Sequence, residues 1–156
     1  MLINDIAGWR KLNLKYLVLD FNGTLAVDGD LLPGVRERLH AVSRSLDIHV
    51  LTADTFGKAR LALMDVPCEL FVLPGDRQDR AKLAHVNKLG RNQTVCIGNG
   101  RNDRLMLKVA ALGIAVVQGE GAAVAAIASA HLVMPGIIEA LELFDNPLRL
   151  VATLRN

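Results

Sequence analysis

Five short, nearly continuous apolar runs limit most strongly what this chain can fold into: Tyr16–Asp20, Ile48–Thr52, Leu70–Leu73, Thr94–Ile97 and Leu112–Val117. Runs of this length suit strands buried on both faces, as in a parallel sheet. Helical spacing fills the gaps. Val35, Leu39, Val42 and Leu46 recur at steps of four and three within a helix predicted over 34–45, and Pro33 stands where a first turn tolerates proline. Further helices are predicted over 56–64, 77–89, 103–110, 136–143 and 147–154. Strands alternating with helices point to an α/β domain with a mainly parallel sheet, and right-handed crossovers then place helices on both of its faces. The region before residue 14 reads equally as an extra strand or an irregular arm.

At 156 residues the chain is expected to form one domain, 1–156, around one core. With 51% apolar and 22% charged residues, neither disorder nor a fibrous repeat fits. Aromatics at 4% and a net charge of +2 argue against a nucleic-acid partner. The apolar stretches near 109–117 and 121–130 are too short to span a bilayer, so no membrane role is expected. The first fifteen residues carry no basic start followed by an apolar block. Cys68 and Cys96 match neither a zinc nor a redox spacing. A cytoplasmic location with two reduced core thiols is the expectation. The histidines, 40, 49, 85 and 131, show no ligand spacing and are read as structural or surface residues.

Charge is unevenly spread. Residues 77–108 hold eight basic and two acidic side chains, a formal +6 against −4 for the rest. A solvated helix face and a local anion site both fit that bias.

In open parallel sheets the functional residues gather beyond the carboxyl ends of the strands. The first run ends in Asp20-Phe21-Asn22-Gly23-Thr24-Leu25, the second in Thr52-Ala53-Asp54, and the fourth leads into Gly98-Asn99-Gly100-Arg101-Asn102-Asp103. Lys82 lies in the basic helix. A carboxylate, a hydroxyl, an ammonium and a second carboxylate thus converge from separate segments. A carboxylate can attack phosphorus, and an ammonium can neutralise a transferring phosphoryl group. Two carboxylates and a carbonyl can hold Mg²⁺.

With these residues in view, the chain resembles the haloacid dehalogenase superfamily of phosphotransferases. Over about residues 14–135 it looks most like soluble relatives of the P-type ATPase phosphorylation domain. Asp20 to Leu25 is similar to the family pattern D-x-D-G-T-[LV], and Thr52 to its hydroxyl after an apolar strand. Lys82 with Val86 and Leu89 is similar to K-x-x-x-V-x-x-L, and Gly98 to Asp103 resembles G-D-G-x-N-D. The resemblance implies a Rossmann-like three-layer sandwich with a five-to-six-stranded, mainly parallel sheet. It further implies Asp20 as nucleophile and Mg²⁺ ligand, the residue-22 carbonyl as a second ligand, and Asp103 as another, direct or through water. Thr52 and Lys82 would bind the phosphoryl group, with Gly23, Thr24 and Ala53 beside them. Lys88 is out of register with Val86 and Leu89 for the lysine role.

Two positions depart from the phosphatase pattern. Asn22 stands where the family's phosphatases carry a general acid/base aspartate, and an amide cannot exchange that proton at neutral pH. Asn99 stands where a metal-binding aspartate is usual, which keeps an oxygen but removes a charge. Only Ala26–Leu32 separates the first motif from Pro33, room for a hairpin and not for a cap domain. The expectation is a Mg²⁺-dependent phosphohydrolase or phosphotransferase working through an aspartyl phosphate, slow for want of the two aspartates. An open site and a homo-oligomer go with it. The alternatives are a non-catalytic phosphate-binding module and a subunit that needs a partner.

Overall fold

The structure, a computed structural model, describes residues 1–54 and 57–156. The chain opens with a hairpin, β1 (Leu2–Ile6) and β2 (Arg10–Leu14), paired antiparallel and separate from the main sheet. This settles the region before residue 14 as strand. Ile6, Leu12 and Leu14 point into the core and are buried.

The apolar runs become β3 (Tyr16–Asp20), β6 (Asp47–Thr52), β7 (Glu69–Val72), β8 (Thr94–Gly98) and β9 (Leu112–Val116). β10 (Leu132–Met134) adds a sixth strand. All pair in parallel, in the order β10-β9-β8-β3-β6-β7. Between β3 and β6 the chain makes a two-by-two-residue hairpin, β4 (Ala26–Val27) and β5 (Asp30–Leu31), the small insertion expected there.

The helices are α1 (Val35–Val42), α2 (Lys58–Ala62), α3 (Gln78–Leu89), α4 (Arg104–Val109), α5 (Val124–Ser129), α6 (Ile137–Asp145) and α7 (Pro147–Leu154). α1 stops earlier than the predicted 34–45, because Ser43 to Leu46 turn back onto the carbonyls of Leu39, Ala41 and Val42. Leu46 is still buried, which is why its spacing mimicked a helical position. The start of the predicted 56–64 helix lies outside the described residues. α5 carried no predicted helix, since its alanines give no apolar stripe.

Alternation along the strands sorts the core into two layers. Leu17, Leu19, Ile48, Val50, Val95 and Ile97 face the side covered by α1, α6 and the N-terminal hairpin. Val18, Leu51 and Cys96 face the other side with Val86, Met106, Leu107 and Ala126 from α3, α4 and α5. Cys96 is buried and its thiol is pushed up by burial, while Cys68 is half-buried, and both are free. Among the described residues, no helix is long and apolar enough to cross a membrane.

This strand order fixes where chemistry can occur. The chain runs outward from β3 through β6 to β7, then returns to β8 on the other side of β3. The crossovers on either side of that switch diverge, leaving a crevice at the carboxyl ends of β3 and β8.

Candidate active site

Asp20 is the last residue of β3, and its side chain stands at that crevice, 7% exposed. The chain beyond it turns at once. The Phe21 carbonyl accepts hydrogen bonds from the amides of Thr24, Leu25 and Ala26. The turn needs Gly23, which has φ +79°, and a Cβ there would lie 2.3 Å from the Asn99 side chain. Gln118, just beyond β9, clamps the turn by donating to the carbonyls of Gly23 (3.1 Å) and Thr24 (2.6 Å). Its oxygen accepts from the amide of Ile137, the first residue of α6.

Behind Asp20 lies a closed charge cluster. The Lys82 ammonium, 1% exposed on α3, donates to Asp20 Oδ1 and to Asp103 Oδ1, both at 2.6 Å. Asp103 is fully buried, and its Oδ2 accepts from the amides of Asn99 (3.0 Å) and Gly100 (2.8 Å). Gly98 makes room for it, because a Cβ there would lie 2.5 Å from the carboxylate. Lys88, by contrast, is exposed. Burial raises the Asp20 pKa to about 6, the neighbouring Asp103 charge raises it too, and Lys82 and Thr24 oppose both. Burial alone would depress Lys82, but the two carboxylates overcome it and hold its pKa above the ordinary value. Two carboxylates and one ammonium leave the cluster at −1 in a dry place, a setting that favours an arriving cation.

In front of Asp20 is an open cleft of about 440 Å³, lined among others by Asn22, Thr52, Ala53, Asn99, Arg101 and Glu120. Thr52 ends β6, 2% exposed, and its hydroxyl accepts from the amide of Asp54 at 3.1 Å. Asp54, for which the sequence suggested no role, accepts from the amide of Ala59 in the first turn of α2. Thr24 is fully buried and does not line the cleft. Its single hydroxyl proton is shared between Asp20 Oδ2 (3.1 Å) and Asn99 Oδ1 (3.2 Å). Asn99 uses its other end as a tether, its Nδ2 donating to the Gly121 carbonyl at 3.0 Å. The Asn99 carbonyl also accepts from Ala123, so this residue holds the loop after β9 against the site.

The expected metal ligands therefore divide. Asp20, Asn22 and Asn99 face the cleft, whereas both oxygens of Asp103 are engaged inward. Among the described residues, no cluster of three His, Cys, Asp or Glu side chains could hold a metal ion. Of the expected ligands, those at the cleft supply one carboxylate, one amide oxygen and one backbone carbonyl, and the Glu120 carboxylate lines the cleft as well. That set fits a hard divalent cation held by few protein oxygens, with water and a substrate phosphate filling the remaining positions.

Sequence patterns did not single out Gln118, Gln78 or Glu120, and Asn102 was read only as part of the Gly98–Asp103 motif, with no site role. The strand-end rule points to Gln118 and Glu120, which follow β9 directly; the amide of Gln78 carries no pattern. Two histidines judged separate in sequence meet at the opposite end of the sheet. There His85 Nε2 and His49 Nδ1 lie 3.0 Å apart, with Phe71 stacked on His49.

Comparison with known proteins agrees with this geometry. Residues 81–134, which carry Lys82, Asn99 and Asp103, match the family of haloacid dehalogenase-like hydrolases. An uncharacterised protein of Methanocaldococcus jannaschii is 48% identical over 62 residues, 40% of this chain and 67% of that one. A second from the same organism is 46% identical over 39 residues, 25% of this chain and 89% of the other. Among solved structures, 3-deoxy-D-manno-octulosonate 8-phosphate phosphatase from Moraxella catarrhalis, in complex with magnesium, phosphate and its sugar acid, has a TM-score of 0.71 at 15% identity. That match covers 92% of this chain and 94% of the other. The cobalt-bound enzyme of that name from Haemophilus influenzae follows at 0.70 and 15%, covering 91% of each. At such identities the solved structures speak for the fold. The likeness to the haloacid dehalogenase-like hydrolases rests on residues 81–134, and an aspartate at the switch point backed by a buried lysine agrees with it.

Proposed function

We propose that the protein is a Mg²⁺-dependent phosphohydrolase or phosphotransferase that works through an aspartyl phosphate on Asp20, and that it is slow. The observation that carries this is Asp20 itself. It is a carboxylate at the strand switch, open to the cleft on one side and bonded to Lys82 on the other. The family match over residues 81–134 and the fold shared with solved phosphatases support the reaction class.

In this chemistry one Asp20 oxygen attacks phosphorus, and the bond from phosphorus to the leaving oxygen breaks, that oxygen keeping the electron pair. Water then attacks the phosphorus, releasing phosphate and restoring the carboxylate. Lys82 and Thr24 fix the carboxylate's direction, and Lys82 keeps it anionic against the burial that favours its protonated form. Thr52 and the amide of Ala53, both on the cleft wall, hold the phosphoryl oxygens. A bound Mg²⁺ would neutralise charge on the phosphoryl group, held by Asp20, the Asn22 carbonyl and Asn99, with Asp103 fixing the Asn99 backbone. Asn22 cannot protonate a leaving group or activate water, and that proton transfer is typically worth about 10²–10⁴-fold. Leaving groups of low pKa lose least.

The open cleft, with only the β4–β5 hairpin inserted beside it, goes with a macromolecular substrate or a lid from a second subunit, so we include a homo-oligomer and a cytoplasmic setting in the proposal. The test is phosphate release from 4-nitrophenyl phosphate, with Mg²⁺ or chelator, for wild type and Asp20→Asn. Turnover lost in both controls supports the proposal. Folded protein with no turnover above Asp20→Asn would leave a phosphate-binding module or a partner-dependent subunit.

A further inference from the structure

The cleft in front of Asp20 does not end at the catalytic residues. It continues into a second recess of about 410 Å³, lined by Gly75, Arg77, Gln78, Asp79, Arg101, Asn102 and Arg104. Gln78, Arg101 and Asn102 line both recesses. The wall between them is built from two segments and is pinned. Asn102 Nδ2 donates to Gln78 Oε1 at 2.8 Å, and Arg104 is paired with Asp79 at 2.8 Å while also donating to the Arg101 carbonyl. Arg104 and Asp79 thereby neutralise each other. Arg77 and Arg101 are left over: both are exposed, and among the described residues neither has an ion-pair partner.

Arg77 takes φ +52°, a left-handed conformation that β-carbon-bearing residues other than Asn and Asp seldom adopt. The basic bias of residues 77–108 thus resolves into a specific place. Two guanidinium groups without an ion-pair partner among the described residues line one recess, which shares Gln78, Arg101 and Asn102 with the cleft in front of Asp20. Arg presents a fixed fork suited to phosphate or carboxylate oxygens.

Resting on the proposed phosphoryl transfer, we infer that the substrate carries a second anionic group on its leaving portion, a phosphate or a carboxylate, which Arg77 and Arg101 receive while its transferable phosphoryl group sits at Asp20. Arg101, common to both recesses, marks the side on which the two anions approach.

The test uses probes that cannot be turned over, so it reads the subsite even if catalysis fails. Calorimetry of the full chain with Mg²⁺ would compare methylphosphonate, phosphonoacetate and methylenebisphosphonate. The two probes with a second anionic group are expected to bind about tenfold more tightly than methylphosphonate, the worth of one good charge-assisted contact. Arg77→Asn, which tolerates the left-handed backbone, and Arg101→Gln are each expected to cut that ratio by about fivefold or more. Lys108→Gln, the same charge loss on an exposed face of α4, is expected to leave the ratio alone. A bisphosphonate preference identifies a second phosphate, and a phosphonoacetate preference a carboxylate. Equal binding of all three probes, or a ratio unmoved by both arginine variants, would overturn the inference. So would an Arg101→Gln loss that is equal for methylphosphonate, since Arg101 would then hold the transferred group. Turnover of 4-nitrophenyl phosphate, measured separately, reports on the parent proposal alone.

Discussion

Lys82 Nζ and Asp103 Oδ1 are 2.6 Å apart at a point where neither side chain is more than 1% exposed. Asp103 is therefore less a group on display than the anchor that holds Lys82 against Asp20. Replacing Lys82 by Met keeps the stem and removes the charge, leaving two carboxylates facing each other without a counter-ion. Breaking a buried pair in this way costs about 3–5 kcal/mol. Urea unfolding of Lys82→Met at pH 7 should show a loss of that size. Because the folded-state pKa of Lys82 is raised, its stabilisation is complete below the ordinary 10.5 and fades only as pH rises through the folded value. An unchanged unfolding midpoint would place the ammonium outside the cluster.

Asp20 has the opposite consequence near neutrality. Its pKa rises from 3.8 to about 6 on folding, so the folded state holds a proton that the unfolded chain has released. Its contribution to stability is full below pH 4 and is lost as pH rises through 6, by roughly 3 kcal/mol for a shift of two units. In chelator, wild type should lose stability between pH 4 and 7 relative to Asp20→Asn, which carries no such titration. Parallel pH profiles for the two proteins would refute this.

The strands that matter were legible because burial on both faces leaves continuous apolar runs, and Lys82 because, with Val86 and Leu89 after it, it resembles the pattern K-x-x-x-V-x-x-L. β10 was not: three residues, one of them exposed, make no run. α5 was not, because alanines carry no amphipathic period. The approach of Asp20, Thr52, Lys82, Asn99 and Asp103 to one strand-end rim followed from topology. Which way each pointed did not. Sequence spacing cannot say that Asp103 turns both oxygens inward, nor that Asn99 donates to Gly121. Those depend on rotamers chosen by backbone amides far off in sequence.

The N-terminal hairpin is a second case where packing decides. Ile6, Leu12 and Leu14 are at most 1% exposed, and Arg10 reaches from the hairpin to the Ala111 carbonyl at 3.1 Å. Burying three such side chains contributes about 1.5–3 kcal/mol each, against a net stability of roughly 5–15 kcal/mol for a domain. A chain beginning at residue 15 should be unfolded or molten at 25 °C by near-ultraviolet circular dichroism. A cooperative melt close to that of the full chain would show the hairpin to be peripheral.

Asn99 holds two jobs that an aspartate could not combine. A carboxylate there would set an oxygen against the Gly121 carbonyl, where the amide now donates at 3.0 Å. Asn99→Asp should therefore bind Mg²⁺ more tightly by about tenfold, from the added charge, while losing about 1–3 kcal/mol of stability with the tether. Calorimetry and a thermal melt without metal separate the two effects. Tighter metal binding with no loss of stability would mean that the Gly121 contact contributes little.

Asn22 offers the sharpest test of why the proposed reaction is slow. It lines the cleft, is exposed, and pairs through its backbone with Ala26, so Asp fits the same place without disturbing the turn. An aspartate there could protonate the departing oxygen and then accept a proton from the attacking water. For an alkyl phosphate, whose leaving oxygen needs that proton, Asn22→Asp should raise kcat by about 10²-fold or more. For 4-nitrophenyl phosphate only the water step gains, so the increase should be smaller. The measurement is the slope of log kcat against leaving-group pKa in the two proteins. It should be steep and negative in wild type and nearly flat in the variant. Equal slopes with no gain in kcat would mean that the missing carboxylate does not limit the rate. The burden would then fall on Asn99 and on how weakly the site holds its metal.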